Sequence, residues 1–310
     1  MKYRTGAYLV AAIVVLIILY VYWVRRTMAA AGRALATVGS NICTTDISAA
    51  ACAALLAMAD GPPDPLRPPT LAGVVDKAAL AFAVRINAVF VAYLGASGRA
   101  ALMDSPAPGA GFGPPVFAVA PGDSMPLAAT WVSTDGTWAV VVIRGTLTAA
   151  DLAADLNFNY EKTGGDTHSG LTAFYAAAAP ALWATVPPSV TRITVTGHSL
   201  GAALAFLMAA AAPPTVVVDA YGVAPPRVGG PTFVAALQAR AGHRCSLINL
   251  ADTVPSLPWT YMPSLAGAYR PVAFAHVGPI AAFNLVSSDL ISDHMLPTYA
   301  AGLPLAVIIP

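Results

Sequence analysis

Charge is scarce in this 310-residue chain: Asp, Glu, Lys and Arg make up 10% of it and leave a formal net charge of +1. Such a chain has no strong field of one sign to gather phosphates, and no basic run with interleaved aromatics follows the N-terminus. Nucleic acid is therefore not an expected partner. Cysteine is scarcer still, with three residues and no C-x-x-C spacing. That excludes the usual zinc and disulfide frameworks, and no cofactor or metal is expected. Cys43 and Cys52 are read as two buried thiols, with a disulfide between them as the alternative in an oxidising compartment. Cys245 lies in an apolar strand pattern and belongs in the core.

Apolar residues, by contrast, reach 57%. That is too many for a disordered chain and enough for one large core. Ala7 to Val24, "AYLVAAIVVLIILYVYWV", holds 18 residues without a charge, a helical length that nearly crosses the hydrocarbon core of a bilayer. Lys2 and Arg4 flank it on one side, Arg25 and Arg26 on the other, and Tyr8, Tyr20, Tyr22 and Trp23 sit near its ends like an interfacial belt. Residues 1–30 are thus expected to be a retained single-pass membrane anchor. A cleaved signal peptide, leaving a secreted protein, is the rival. Against it, the apolar run exceeds a signal core of about 7 to 15 residues, and Arg25, Arg26 and Arg33 precede the small-residue site at Ala34 to Ala36. The flanking charges nearly balance, so the side of the membrane stays open.

Residues 31–69 form an Ala/Pro-rich linker ending in "GPPDPLRPP", which is unsuited to a helix. A single domain is expected over 70–310. Apolar spacing from Thr70 to Leu94 predicts a helix packed on that domain, and Asp104 to Pro115 is a Pro/Gly-rich loop. Two β-rich runs around Asp135-Gly136 predict a hairpin. Strand-like runs at Ile193–Thr196, Thr215–Tyr221 and Cys245–Leu250 alternate with helix-compatible segments. This alternation predicts an α/β fold, with a mostly parallel central sheet and helices on both faces.

Within that pattern, "RITVTGHSLGAALAFLMAAAA" carries a β-run into Gly197-His198-Ser199-Leu200-Gly201 and then into an Ala/Leu helix. A serine hydroxyl needs a base to take its proton and donors to hold the oxyanion that forms. The strand, sharp turn and helix around Ser199 are the context in which a nucleophile elbow exposes Oγ. The segment resembles the elbow of the class 3 lipases, the fungal-lipase-like α/β-hydrolases, and the resemblance extends over about Leu127 to Leu303. "VVVIRGT" is similar to the family's strand ending in Arg-Gly-Thr or Arg-Gly-Ser, and "THSGLTAFY" to its His-x-Gly-Phe segment. "YGVAPPRVGG" is similar to its Gly-x-Pro-Arg-Val-Gly stretch and "INLADTVPSLP" to its Asp-x-Val-Pro loop, all in the family's order. Leu171 stands where the family has Phe, and Ala202 where a second glycine is common.

The α/β-hydrolase order is Ser, acid, His. Asp252 directly follows an apolar strand and matches the family's acid position; Asp219, inside a strand, is its rival. His168 and His243 come in the wrong order and His198 lies within the elbow, which leaves His276 and His294 as the base. The resemblance assigns His276 to a structural His-Val-Gly strand and His294 to the late HxxxxY segment that carries the base. Asp293 is expected to be a solvated loop charge. The expected mechanism is proton transfer from Ser199 to His294, attack on an ester carbonyl, release of the alcohol and hydrolysis of the acyl-enzyme, with Asp252 fixing the imidazole tautomer. The Leu200 N–H supplies one oxyanion donor; Thr146 matches the family's position for the other. "LTAADLAADLNF" after Thr146 is either a lid or an ungated surface helix. The leading expectation is a serine acylhydrolase cleaving acylglycerols or phospholipids at a membrane. An esterase of soluble or aromatic esters and a non-catalytic lipid-binding protein are the alternatives.

Overall fold

The computed structural model describes residues 77–94, 108–109, 111–121, 125–145, 166–257, 274–287 and 290–309. The expected anchor, the linker with Cys43 and Cys52, Thr146 and the segment 147–156 lie outside the described residues. Among the described residues, no helix is long and apolar enough to cross a membrane.

Among the described residues, eight strands lie side by side in chain order: β1 (Val116–Val119), β2 (Pro126–Val132), β3 (Trp138–Ile143), β4 (Arg192–His198), β5 (Val217–Val223), β6 (His243–Asn249), β7 (Ile280–Phe283) and β8 (Val307–Ile309). The β1–β2–β3 meander is antiparallel, β3 to β7 are parallel, and β8 closes the edge antiparallel to β7. The expected hairpin joins β2 to β3. Gly136 takes a φ of 72° there, a left-handed conformation that glycine adopts without a Cβ clash. Asp135 secures the turn by accepting from the Ser133 and Thr137 hydroxyls and from the Thr137 N–H.

The parallel strands carry continuous apolar runs because helices cover both of their faces. On one face, Val141, Ile143, Ile193, Val195 and Val218 pack under α2 (Ser169–Ala184), α3 (Leu200–Ala210) and α4 (Pro231–Arg240). These are the crossover helices, and right-handed connections running in one direction along the sheet place them all on that side. On the other face, α1 (Lys77–Leu94) presents Phe82, Ile86 and Phe90 to Trp131, Val140 and Val142. Its Leu80 and Val84 share a cluster with Val223, Leu247 and the short helix α6 (Leu296–Gly302). Alternate side chains of β3 thus enter opposite cores, the period of two that a doubly covered strand requires.

Helix α3 is buried from Leu200 to Ala209. Its alanines let the helix axis lie close on β4 and β5, so the turn feeding it is pressed onto the sheet edge. Because β4 and β6 run parallel, the residues that follow them, Ser199 and Asp252, emerge at the same end of the sheet. Asp219 goes elsewhere. It sits near the start of β5, accepting from Arg192 (2.6 Å) and from His243 Nδ1 (2.7 Å) at the starts of β4 and β6. The rival acid and His243 therefore tie down the opposite end. Cys245 is fully buried, and burial pushes its thiol up to about 12.

Candidate active site

Ser199 joins β4 to α3 with φ 57° and ψ −126°. A residue with a side chain is strained there and persists only where its surroundings over-determine it. Three contacts do so. The Ser199 N–H donates to the Val223 carbonyl (2.9 Å), and its own carbonyl receives the N–H groups of Ala202 and Ala203 in the first turn of α3. A Cβ on Gly197 would overlap the Gly201 backbone, and one on Gly201 would overlap the carbonyls of Ile143 and Arg144. The two glycines of the motif are therefore steric necessities where strand, turn and helix cross. Arg144 anchors the neighbouring strand end from a fully buried position, donating to the Pro126 and Gly145 carbonyls.

Asp252 lies three residues beyond β6 and is buried. Its Oδ1 accepts the Val254 N–H (2.9 Å), and its Oδ2 accepts both His294 Nδ1–H (2.6 Å) and the Tyr299 hydroxyl (2.7 Å). The Tyr299 oxygen in turn accepts the Asn249 N–H at 3.1 Å. With its Nδ1 proton directed at a carboxylate, neutral His294 carries its free lone pair on Nε2, the form in which imidazole accepts a proton. Its side chain keeps 15% exposure, so the ring is reachable from outside.

His294 is the last residue of α5 (Leu290–His294). It meets the elbow through His198, whose Nε2–H donates to the His294 carbonyl at 2.8 Å, with ring centroids 4.7 Å apart. Burial, reinforced by the neighbouring His294 charge, pushes His198 down to about 3, so it stays neutral beside the base. Acid and base candidates are thus paired directly and the base turn is tied to the elbow. Among the described residues, no hydrogen bond joins Ser199 Oγ to His294 Nε2.

The Leu200 N–H opens α3, where a helix leaves its first donors without intrahelical partners. Thr146 lies outside the described residues; a Cβ on Gly145 would stand 3.2 Å from Ser199 Cβ, so the Gly145 backbone passes directly against the serine. The other histidines have separate duties. His168 caps α2 by accepting the Leu171 N–H, and burial pushes it down to about 4. His276 is pushed down to about 4 by burial and by Arg227. The expected strand at His276 does not form: Ala275 makes an isolated bridge to Gly229, and β7 starts only at Ile280. The expectation for Asp293 also fails. It is buried, and its Oδ1 accepts both the N–H and the hydroxyl of Ser287 at 2.6 Å, bonds between α5 and the segment before it that nothing in its sequence neighbourhood signals. Among the described residues, no group of three or more His, Cys, Asp or Glu is placed to hold a metal ion.

A strained serine at a strand-to-helix turn, with an imidazole–carboxylate pair held at the same sheet end, is the equipment of nucleophilic acyl transfer. Residues 140–262 match the family model of the class 3 lipases. This span holds the last four residues of β3, the elbow and the Asp252 loop, and stops short of His294. A chloroplastic/mitochondrial phospholipase A1 of Oryza sativa subsp. indica is 33% identical over 123 residues, covering 34% of this chain and 27% of that protein. The chain therefore spans about a quarter of that relative's length. Among solved structures, the Rhizomucor miehei lipase propeptide complex is 27% identical, with 51% of this chain and 52% of that one covered at a TM-score of 0.40. A fungal lipase solved with an inhibitor is 20% identical, with 73% and 96% covered at a TM-score of 0.49.

Proposed function

We propose that the protein is a serine acylhydrolase of the class 3 lipase type, cleaving carboxylic ester bonds of acylglycerols or phospholipids. The observation that carries this reading is the Asp252–His294 pair, which leaves Nε2 as the accepting nitrogen at the sheet end where the elbow displays Ser199. The lipase family match and the phospholipase A1 relative support the substrate class. In the proposed cycle His294 takes the Ser199 proton as Oγ attacks the ester carbonyl, and the imidazolium is stabilised by Asp252. It then returns the proton to the departing alcohol. Water, activated by the same imidazole, hydrolyses the acyl-enzyme and releases the fatty acid. The Leu200 N–H and the backbone of Thr146 are the proposed oxyanion donors. Residues 147–156 are the proposed lid, and the apolar N-terminal run is the proposed anchor that keeps the enzyme at its lipid.

The test is fatty-acid release from mixed phospholipid and acylglycerol vesicles by the full chain and by Ser199→Ala. Release is expected from the parent and should fall at least about a thousandfold in the variant. Equal release from both would refute the assignment of the nucleophile. Recovery of the protein with membranes after alkaline extraction is expected if the anchor is retained.

A further inference from the structure

Helix α5 is only five residues long, so its last carbonyls have no partners within the helix. Each of three successive carbonyls at its end finds a donor elsewhere. The Ser292 carbonyl receives the Thr298 hydroxyl at 2.6 Å. The Asp293 carbonyl receives Asn249 Nδ2 at 3.1 Å. The His294 carbonyl receives His198 Nε2 at 2.8 Å. The last two donors come from the ends of β6 and β4, the strands that lead to the proposed acid and nucleophile.

Asn249 has no exposed surface, and its amide is used on both sides. Nδ2 donates to the Leu285 carbonyl as well, while Oδ1 accepts the N–H groups of Leu285 and Ala251. Its own N–H goes to the Tyr299 hydroxyl that supports Asp252. His198 complements it from the other strand. Held neutral, it has one N–H, and that N–H is committed to the base turn.

We propose that His198 and Asn249 are positioning residues that clamp the consecutive peptide carbonyls of Asp293 and His294, so that the height of the imidazole over Ser199 is set by its backbone as well as by Asp252. The proposal rests on the acylhydrolase reading for its kinetic consequence, but its geometric content is independent of it. A Ser-His-Asp site loses rate steeply when the base moves by a fraction of a bond length, because the proton must pass within hydrogen-bond reach.

The discriminating pair is His198→Phe and His198→Gln. Phe keeps an aromatic ring and removes the donor; the Gln amide nitrogen lies as many bonds from Cβ as Nε2 does and restores it. Turnover of a soluble short-chain ester is expected to fall about tenfold to a hundredfold in His198→Phe with KM little changed, and to return in His198→Gln. Asn249→Asp, which keeps the acceptor and loses both donated bonds, should show the same kcat-selective loss. The low-field proton resonance of His294 Nδ1–H in its bond to Asp252 should shift in His198→Phe and return in His198→Gln. Parent turnover and an unmoved resonance in His198→Phe would overturn the clamp, as would a His198→Gln variant as impaired as His198→Phe. A parent without Ser199-dependent turnover would instead strike the proposed function, and the resonance alone would then judge the clamp.

Discussion

Two hydroxyls matter at the candidate site: that of Ser199, the proposed nucleophile, and that of Tyr299, which supports Asp252. Tyr299 is fully buried; its oxygen donates to Asp252 and accepts from the Asn249 N–H. Tyr299→Phe removes both bonds without opening a large cavity and leaves a buried N–H unpaired, a loss of about 1–3 kcal/mol. The midpoint of urea unfolding should fall accordingly, and ester turnover should fall with it; unchanged values for both would mean that Asp252 is held without the tyrosine. At this scale the sequence is legible where chemistry demands a particular residue type. Ser199, Asp252 and His294 stand out by order and context, and two of them are found in contact. His198 and Asn249 do not stand out, and Tyr299 appears only as the last residue of the HxxxxY segment without a role, because what each does depends on which carbonyl or carboxylate it faces. Asp293 is misread for the same reason: a carboxylate beside a histidine in a loop looks solvated until Ser287 is seen folded over it.

Elements were easier to anticipate than their ends. The hairpin at Asp135-Gly136, the strand feeding the elbow and the helix leaving it all follow from periodicity and turn chemistry, and the structure contains each of them. The strand expected at His276 does not form, because a short apolar stretch next to prolines has too few ladder partners to declare its start. The helix at Lys77–Leu94 bears out its apolar spacing over the described residues, and only the fold reveals which sheet face it covers. The two ends of β4 and β6 have different tasks, and substitutions separate them. Asp219→Ala leaves Arg192 and His243 facing each other without their carboxylate at the far end, which should lower stability on the order of 3 kcal/mol. Turnover per folded molecule should not change. A lost turnover in correctly folded Asp219→Ala would return Asp219 to contention as the acid. Gly201→Ala, in contrast, drives a methyl group into the carbonyls of Ile143 and Arg144, so it should cost both folding yield and activity; a normal melting temperature would show that the elbow can open.

For the molecule as a whole, three histidines are kept neutral by enclosure: burial pushes His168 and His276 down to about 4 and His198 down to about 3, from the ordinary value of 6.5. The unfolded chain binds these protons as pH drops below 6.5 while the folded protein refuses them. Their contribution to stability is therefore complete above about 6.5 and is lost progressively as pH falls towards 4 and then 3. The melting temperature should drop between pH 7 and pH 5 with proton uptake on unfolding, and a flat profile measured by calorimetry would contradict the burial of these rings. The fold class was readable because alternating strand and helix patterns admit few topologies; the strand order was not, since periodicity does not say who neighbours whom. That order, identical in space and in sequence, bears on how the chain is born. As synthesis proceeds, each parallel strand emerges to find its neighbour already waiting, so the sheet can extend one edge at a time behind the ribosome. Ser199 follows β4, midway across the sheet, and His294 comes only after β7. A chain made only as far as β7 therefore holds the proposed nucleophile without its proposed base, and the pair can meet only once seven of the eight described strands have been made.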